Sequence, residues 1–290
     1  MTPVPSLPCG ALVSAHRGGA KSFRTTENSI EAFTRAASSG VDLIEFDVHV
    51  TSDEQFIVSH SPKLATGHGR VRVASRTLTQ LRAEGASVVA VADVCAVLPT
   101  SVTAHVDIKF ACDQKVGSGS LHRLANLIHV ALGHGRYIFT STNLHATATL
   151  ATWCAANGVP NCVGLSLWMP LSRAGSRGWG AWSQLLPSTR FARSGAGFIV
   201  VHHALARLGV LRWAANNKIK VLVWTCDSER RLRMFLNDSR VWAVTSNDPV
   251  KALGLRVPVG LPVCVPTRGA SFGFDIPGRC VPPATVGDTR

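Results

Sequence analysis

Short apolar segments with the character of β-strands alternate with amphipathic helices along most of this chain. In Val41–Val50 the apolar and polar residues alternate with a period of two, which predicts a strand. We predict eight strands: Ala11–Gly19 (running into a His-Arg-Gly-Gly turn), Val41–Val50, Thr103–Phe110, Tyr137–Ser141, Val163–Leu167, Gly197–His202, Lys220–Cys226 and Val241–Ser246. Helices are predicted at 28–38 (with Asn28 as N-cap), Leu121–Leu132, Leu144–Ala156, Ala204–Asn216 and Ser228–Leu236. This alternation favours a parallel α/β sheet.

The strand at Val41–Val50 carries two acids on one face. Glu45 and Asp47 are two residues apart, so they point the same way, while the opposite face is apolar. Buried carboxylates need a cation or hydrogen-bond donors, and a hard metal ion such as Mg²⁺ or Ca²⁺ meets that need. The alternative is a polar strand end paired with surface arginine or lysine. This strand alone leaves both interpretations open.

Further polar residues lie at the ends of other predicted strands. His16 and Arg17 follow the first strand, and His60 follows a short apolar segment at Phe56–Pro62. The alternation in Thr103–Phe110 places Asp107 and Lys109 on one face. Because the carboxyl ends of parallel strands share one rim, we expect these groups to converge there.

The order of these motifs resembles that of the glycerophosphodiester phosphodiesterase family. The resemblance rests on HRG at 16–18, the EN pair at 27–28, IEFDV at 44–48, VSH at 58–60, VLVWTCD at 221–227 and AVTSNDP at 243–249. It spans roughly residues 11–253, and one such motif alone would be weak. It implies a TIM (β/α)8 barrel at 11–256, with a small insertion after the second strand. A lead of residues 1–10 precedes this barrel, and an extended Pro/Gly-rich C-terminal tail, 257–290, follows it. A basic loop, Thr66–Arg72, is expected within the insertion.

The resemblance also implies roles for individual residues. It makes Glu45, Asp47 and Asp107 the ligands of one divalent cation, Mg²⁺ or Ca²⁺, and it makes His16 and His60 the catalytic acid and base. The residues implied to bind phosphate or substrate are Arg17, Lys109 and Trp224. Each of these has a structural alternative: Arg17 could pair with Glu45 or Glu27, Lys109 could merely balance the acids, and Trp224 could be core. His49 and His105 also point inward, and we interpret them as packing residues.

Four positions depart from the family pattern. His-Asp-Pro is His60-Ser61-Pro62, and Thr26 stands where the family has proline before the Glu-Asn pair. The third metal ligand is aspartate (Asp107) rather than glutamate, and Asp227 replaces asparagine after Trp-Thr. The two aspartates resemble the related phospholipase D and sphingomyelinase D branch. We therefore expect hydrolysis of glycerophosphodiesters to an alcohol and glycerol 3-phosphate. The alternatives are phospholipase D-like cleavage of lysophospholipids or sphingomyelin-type lipids, and a catalytically silent barrel that acts as a binding module.

Charge and composition narrow the choice of partners. The chain has 290 residues and a net charge of +13, with one dense basic run at Glu229–Arg233. Without a clustered basic stripe or a recognition motif, nucleic acid is not an expected partner. The run is either a solvated helix face or a contact with anionic phosphodiesters or an anionic membrane surface. The substrate is expected to be a small-molecule or lipid phosphodiester, and the oligomeric state stays open.

Two kinds of sequence pattern that are missing bear on localisation and on the type of metal: apolar targeting or spanning segments, and paired cysteines. No apolar run approaches the roughly 18–20 residues of a membrane span, and the ten residues before the first strand are too short for a signal peptide. The chain is therefore expected to be cytoplasmic, with peripheral membrane contact left open. None of the eight cysteines forms a CxxC pair, which argues against a zinc site.

Overall fold

The computed structural model describes residues 10–110, 117–167 and 187–256, and its central feature is a closed barrel of eight parallel strands. The predicted tail, 257–290, and nearly all of the predicted lead lie outside the described residues. The strands of the described chain are β1 (Leu12–Ala15), β2 (Leu43–Val50), β3 (Phe56–Val58), β4 (Lys63–Thr66), β5 (Gly69–Arg72), β6 (Val89–Ala90), β7 (Thr103–Ile108), β8 (Tyr137–Ser141), β9 (Val163–Leu167), β10 (Phe198–His202), β11 (Lys220–Trp224) and β12 (Ala243–Ser246).

The barrel closes because β1 pairs in parallel with two strands: β2, the next barrel strand along the chain, and β12, the last strand. Leu12 lies opposite Ala243 of β12, and Ser14 lies opposite Leu43 of β2. The strand order around the barrel is β1, β2, β7, β8, β9, β10, β11 and β12. The predicted TIM barrel is confirmed. The strand positions also match, and the differences lie at the ends, where several predicted strands run on into turns.

Helices connect most of these strands and cover the outside of the barrel. Their bounds are α1 (Ala20–Phe23), α2 (Ile30–Ser38), α3 (Leu78–Ala83), α4 (Val91–Val97), α5 (Ser118–Leu132), α6 (Leu144–Ala156), α7 (Pro187–Ser194), α8 (His203–Leu205), α9 (Leu211–Asn216), α10 (Glu229–Leu236) and α11 (Pro249–Leu255). One-turn 3-10 helices lie at His16–Gly18 and Val73–Ser75. No described helix has both the length and the apolar character needed to cross a membrane.

Two helical expectations need correction. The N-cap of α2 is Ser29, whose hydroxyl accepts a hydrogen bond from the backbone N–H of Ala32, and not Asn28. The predicted continuous helix Ala204–Asn216 is broken into α8, a π-helical turn at Ala206–Val210, and α9. The break falls at Gly209, whose φ of 98° is a backbone conformation that glycine adopts without steric cost.

The insertion after β2 is small, as predicted, but its basic segment is not a loop. β4 and β5 form an antiparallel hairpin, with Lys63 opposite Arg72. It rests on a separate small apolar cluster. Two arginines of this segment bond within the insertion: Arg70 donates to the Ser61 hydroxyl, and Arg76 pairs with Glu84 at 2.7 Å.

Alternate residues of β2 face two different environments: the surrounding helices and the barrel interior. Ile44, Phe46 and Val48 are fully buried. The ring of Phe46 meets that of Phe33 on α2 edge-on, with the centroids 5.9 Å apart. The alternate residues, Glu45 and Asp47, therefore face the barrel interior, as the alternation predicted.

Candidate active site

Three carboxylates meet inside the barrel near the carboxyl ends of β2 and β7. Asp47 on β2 lies directly opposite Asp107 on the adjacent parallel strand, and Glu45 lies opposite His105. One oxygen from each of Glu45, Asp47 and Asp107 can be chosen so that all three lie within 4.8 Å of one another. This is the acid cluster, and all three members are those predicted from strand alternation.

Two cations contact the acid cluster. Arg17 places its Nε 3.0 Å from Asp47 Oδ2, and its backbone N–H donates to Glu45 Oε2 at 2.7 Å. Lys109 Nζ lies 3.1 Å from Asp47 Oδ1 and also contacts Asp107 Oδ2. Burial opposes ionisation of Asp47, but Lys109 and Arg17 outweigh it and lower its pKa. Burial disfavours the Lys109 ammonium too, yet the neighbouring carboxylates of Asp107 and Asp47 raise its pKa.

Glu45 is the member of the acid cluster whose negative charge is least favoured. Burial raises the pKa of Glu45 well above its usual range, and the charges of Asp47 and Asp107 raise it further. Three carboxyl groups here face two cations, Arg17 and Lys109. Carboxylate oxygens are the ligands that Mg²⁺ and Ca²⁺ prefer, so the donor set fits a hard divalent cation. The cluster could hold one such ion through these three side chains.

His16 is held by a hydrogen-bonded pair, Asn247 and Asp227, from the ends of the neighbouring strands β12 and β11. Its Nδ1 lies 2.6 Å from Asn247 Oδ1, and Asn247 Nδ2 donates to Asp227 Oδ2 at 2.7 Å. Because Asp227 accepts from the amide nitrogen, the amide oxygen faces His16, and Nδ1 must carry the proton. Nε2 of the neutral ring therefore offers its lone pair, 3.9 Å from Glu45 Oε2. Burial and the Arg17 charge lower the pKa of His16.

His60 lies just after β3, the short strand that pairs with β2. Its ring is exposed and lines the same cavity as His16. Partial burial and the Arg17 charge lower the pKa of His60, while the Asp47 carboxylate opposes that effect. The two predicted histidines are therefore brought together around one cavity, although they come from different strands.

A second histidine-based network supports Asp107. Thr140 donates its hydroxyl hydrogen to Asp107 Oδ1 at 2.9 Å, so its oxygen accepts from His105 Nε2, 3.1 Å away. His105 Nδ1 then accepts from the Ser14 hydroxyl at 3.2 Å. Burial lowers the pKa of His105 to about 4, which keeps the ring neutral. His105, expected only to pack, thus lies in the cavity wall and helps to orient Asp107.

These groups line a cavity of about 320 Å³ at the mouth of the barrel. Its other side is formed by Ser166, Val200 and Trp224, from β9, β10 and β11. Trp224 is therefore a wall residue of the cavity, which is one of the two alternatives left open by the sequence. A concavity of this volume, with a few polar groups that converge on one wall, is suited to a small ligand.

Sequence reasoning missed one contact of the acid cluster. Asn28 donates from Nδ2 to Asp47 Oδ2 at 3.2 Å, and its side chain is buried. Arg17 is likewise fixed from outside, since its Nη1 pairs with Glu27 at 3.0 Å. The Glu27–Asn28 pair was visible as part of the motif, but its proximity to the helix start favoured a capping role. Arg17 therefore makes the predicted ion pair with Glu27 and also lines the cavity.

The fold and the site define a class: an α/β barrel with an oxygen-rich acid cluster, two histidines and two cations at its carboxyl-end mouth. Residues 16–251 match the model of the glycerophosphoryl diester phosphodiesterase family. The chain belongs to this family. The match begins immediately after β1, ends within α11, and includes all eight predicted site residues.

Individual relatives match over shorter stretches. A Mycobacterium tuberculosis protein named probable glycerophosphodiester phosphodiesterase 2 is 32% identical over 138 residues, which is 46% of this chain and 48% of the relative. Lysophospholipase D GDPD1 of Rattus norvegicus is 44% identical over 55 residues, which is 19% of this chain and 17% of the relative. The chain thus spans about half or less of the length of these curated relatives.

A solved structure matches over more of its length. The Oleispira antarctica phosphodiesterase OLEI02445, solved in complex with the product sn-glycerol-3-phosphate, is 16% identical with a TM-score of 0.59. The match covers 85% of this chain and 96% of that chain. At this identity the likeness shows the shared fold.

Proposed function

We propose that the protein is a metal-dependent glycerophosphodiester phosphodiesterase that hydrolyses its substrate to an alcohol and glycerol 3-phosphate. The observation that carries the proposal is that the acid cluster contributes Glu45 and Asp107 to a cavity that His16 and His60 also line. Membership of the phosphodiesterase family supports the reaction class. The Oleispira relative, whose structure holds sn-glycerol-3-phosphate, supports the product.

The chain's own residues divide the work of binding and proton transfer. When bound to the acid cluster, Mg²⁺ or Ca²⁺ would stabilise negative charge that develops on the phosphate. Arg17 and Lys109 face the same cavity and attract the phosphate group. His16 accepts a proton at Nε2 from the attacking water, because Asn247 holds the proton on Nδ1. As the water oxygen bonds to phosphorus, the P–O bond to the alcohol breaks, and protonated His60 gives a proton to the leaving alcohol.

A lysophospholipid is the second candidate substrate. The mammalian relative named lysophospholipase D supports it, and so does the space beyond His60. There the cavity is followed by a concavity of about 260 Å³, lined in part by Leu64 of the hairpin and by Val58 and Val89. Apolar side chains in this position could accept part of a long alcohol. The small volume of the catalytic cavity favours glycerophosphodiesters as the first choice.

Turnover of glycerophosphocholine tests the proposal. We expect release of choline and glycerol 3-phosphate with Mg²⁺ or Ca²⁺, and loss of activity with a chelator. Lysophosphatidylcholine is assayed in parallel, and a much higher kcat/KM for this lipid would make the lysophospholipid the preferred substrate. Absence of turnover on both, and on a bis-aryl phosphodiester, would favour the silent barrel instead.

A further inference from the structure

A basic groove lies beside the barrel mouth, on the far side of Trp224 from the catalytic cavity. It has a volume of about 610 Å³. We call it the arginine groove and define it by three exposed arginines, an exposed leucine and two floor residues: Arg207, Leu208, Arg230, Arg231, Met234 and Phe235. The sequence motif at 229–233, which the proposed reaction leaves unexplained, supplies two of the arginines.

The arginine groove opens on the same rim as the catalytic cavity. Its segments follow the carboxyl ends of β10 and β11, which end at His202 and Trp224. The rings of His202 and Trp224 lie 5.6 Å apart, and those of His202 and His203 lie 4.0 Å apart. Trp224 lines the catalytic cavity and His203 lines the groove. A partner seated in the groove would therefore lie next to the mouth.

The three groove arginines carry charge that the protein does not balance. Within residues 10–110, 117–167 and 187–256, no carboxylate pairs with Arg207, Arg230 or Arg231. Neighbouring arginines differ: Arg233 pairs with Glu229 at 2.9 Å, and Arg240 pairs with Asp238. Three unpaired guanidinium groups around one concavity attract an anionic partner.

The groove also presents an apolar side chain to solvent. Leu208 is 67% exposed and lies in the π-helical turn, immediately before the kink at Gly209. An unbroken helix over 204–216 was the sequence expectation, so the kink is what sets this leucine on the rim. An exposed leucine flanked by cations is typical of a surface that lies on a bilayer, where the apolar group enters the interface and the cations meet lipid phosphates.

We propose that the arginine groove docks the protein on an anionic lipid bilayer, with Leu208 inserted at the headgroup level and the barrel mouth turned toward the lipid. The docking goes beyond the proposed reaction, since it holds whether the hydrolysed ester is soluble or membrane-embedded. An extended nucleic acid or an acidic protein would use the charge but would leave the exposed leucine without a role.

Vesicle binding by the full chain tests the docking. We expect co-sedimentation with phosphatidylcholine vesicles that contain phosphatidylglycerol, weaker binding at high salt, and little binding to phosphatidylcholine alone. Replacing all three groove arginines by glutamine should weaken binding about a hundred-fold, since each cation near the surface contributes roughly five-fold. Leu208→Ser should weaken it roughly ten-fold.

Matched controls separate the groove from overall charge. Arg230→Gln/Arg231→Gln is compared with Arg82→Gln/Lys218→Gln, which removes two exposed cations outside the groove. Leu208→Ser is compared with Val130→Ser, because Val130 on α5 is even more exposed, at 84%. Turnover of soluble glycerophosphocholine by all these variants should match that of the parent protein, which also reports a native fold.

Three results would overturn the docking. Equal loss of vesicle binding in the groove and control variants would assign binding to net charge. Loss of binding in Arg230→Lys/Arg231→Lys, together with competition by inorganic phosphate, would identify a site for a free phosphate group. Displacement of the protein from vesicles by an acidic peptide or an oligonucleotide at lower concentration than by soluble lipid headgroups would identify a different partner. Binding by the Asp47→Ala variant keeps this test independent of catalysis.

Discussion

The two sides of the barrel mouth differ in chemistry. The ends of β1, β2 and β7 bring together acidic and basic side chains that contact one another: Arg17, Glu45, Asp47, Asp107 and Lys109. The ends of β9, β10 and β11 supply a hydroxyl, an aliphatic and an aromatic side chain: Ser166, Val200 and Trp224. Buried charges are tolerated only where opposite charges and hydrogen bonds compensate them. The first side therefore suits the phosphate and the second suits the rest of the substrate.

The largest expected effect comes from removal of Asp47, at the centre of the charged side of the mouth. Asp47 is fully buried and contacts Arg17, Lys109 and Asn28. We expect Asp47→Ala to abolish divalent-cation binding and to lower kcat/KM far beyond the roughly 10–100-fold that loss of an outer-shell partner costs. Calorimetry with Mg²⁺ and Ca²⁺ measures the affinity, and circular dichroism checks that the barrel folds.

The matched control for Asp47→Ala is Glu31→Ala. Glu31 is exposed on α2 and pairs only with Arg35 among the described residues, so its loss should change neither cation affinity nor turnover. Unchanged affinity for both cations in the Asp47→Ala protein would remove this residue from the metal site.

The next-largest expected effect is the loss of kcat when either of the two histidines proposed to transfer protons is replaced. Substitution of His16 or His60 by alanine should each lower kcat by about 10²–10⁴-fold, the usual contribution of general acid–base catalysis. His68 in the hairpin turn is exposed, and His68→Ala should retain the parent rate. Steady-state kinetics compare the three variants. Near-parent turnover by His60→Ala would show that this histidine is not part of the machinery.

A smaller effect is expected from changes to Asn247 and Asp227, the pair that holds His16 in place. Asn247→Asp would place two carboxylates against each other, because Asp227 already accepts from the Asn247 amide, and we expect about 10–100-fold loss of kcat/KM. The double variant Asp227→Asn/Asn247→Asp restores a donor opposite an acceptor. It also sets a carboxylate directly on the imidazole, so the pKa of His16 should rise from the value that burial and Arg17 now depress.

The pH profile of kcat/KM tests whether Asn247 acts by positioning His16. Because His16 must be neutral to accept a proton, a higher pKa moves the acid limb of kcat/KM to higher pH in the double variant. Recovery of the rate without movement of the acid limb would mean that Asn247 affects only folding. A double variant no better than Asn247→Asp would refute the proposed exchange of roles.

Strand alternation and the shared rim of parallel strands were enough to predict the acid cluster. Glu45, Asp47 and Asp107 lie on strands whose period-two pattern is local, so their inward direction could be read without knowing the neighbours. The support of His16 could not be predicted in this way. Its partner Asn247 is 231 residues away, and their contact exists only because β12 closes the barrel against β1.

Two other features depended on competition between local and tertiary effects. Asn28 lies just before a helix and is a good capping residue, yet the next residue, Ser29, caps and leaves Asn28 for Asp47. The apolar spacing of 204–216 predicts one helix, but Gly209 takes a positive φ and breaks it. The second capping residue and the glycine are both visible in the sequence. Which of two allowed local conformations forms, however, depends on packing in the folded barrel.

The smallest expected effect tests the uncharged side of the mouth. The ring of Trp224 lines the cavity and packs edge-on against His202. Trp224→Ala should therefore raise KM by roughly ten-fold, from the loss of about 1–2 kcal/mol of apolar contact, with kcat close to that of the parent. Trp224→Phe retains the aromatic surface and should recover most of the affinity. Titration of steady-state rates against glycerophosphocholine gives both constants. If kcat falls as far in Trp224→Ala as in the histidine variants, the two sides of the mouth do not divide binding from chemistry, and the aromatic wall takes part in the reaction itself.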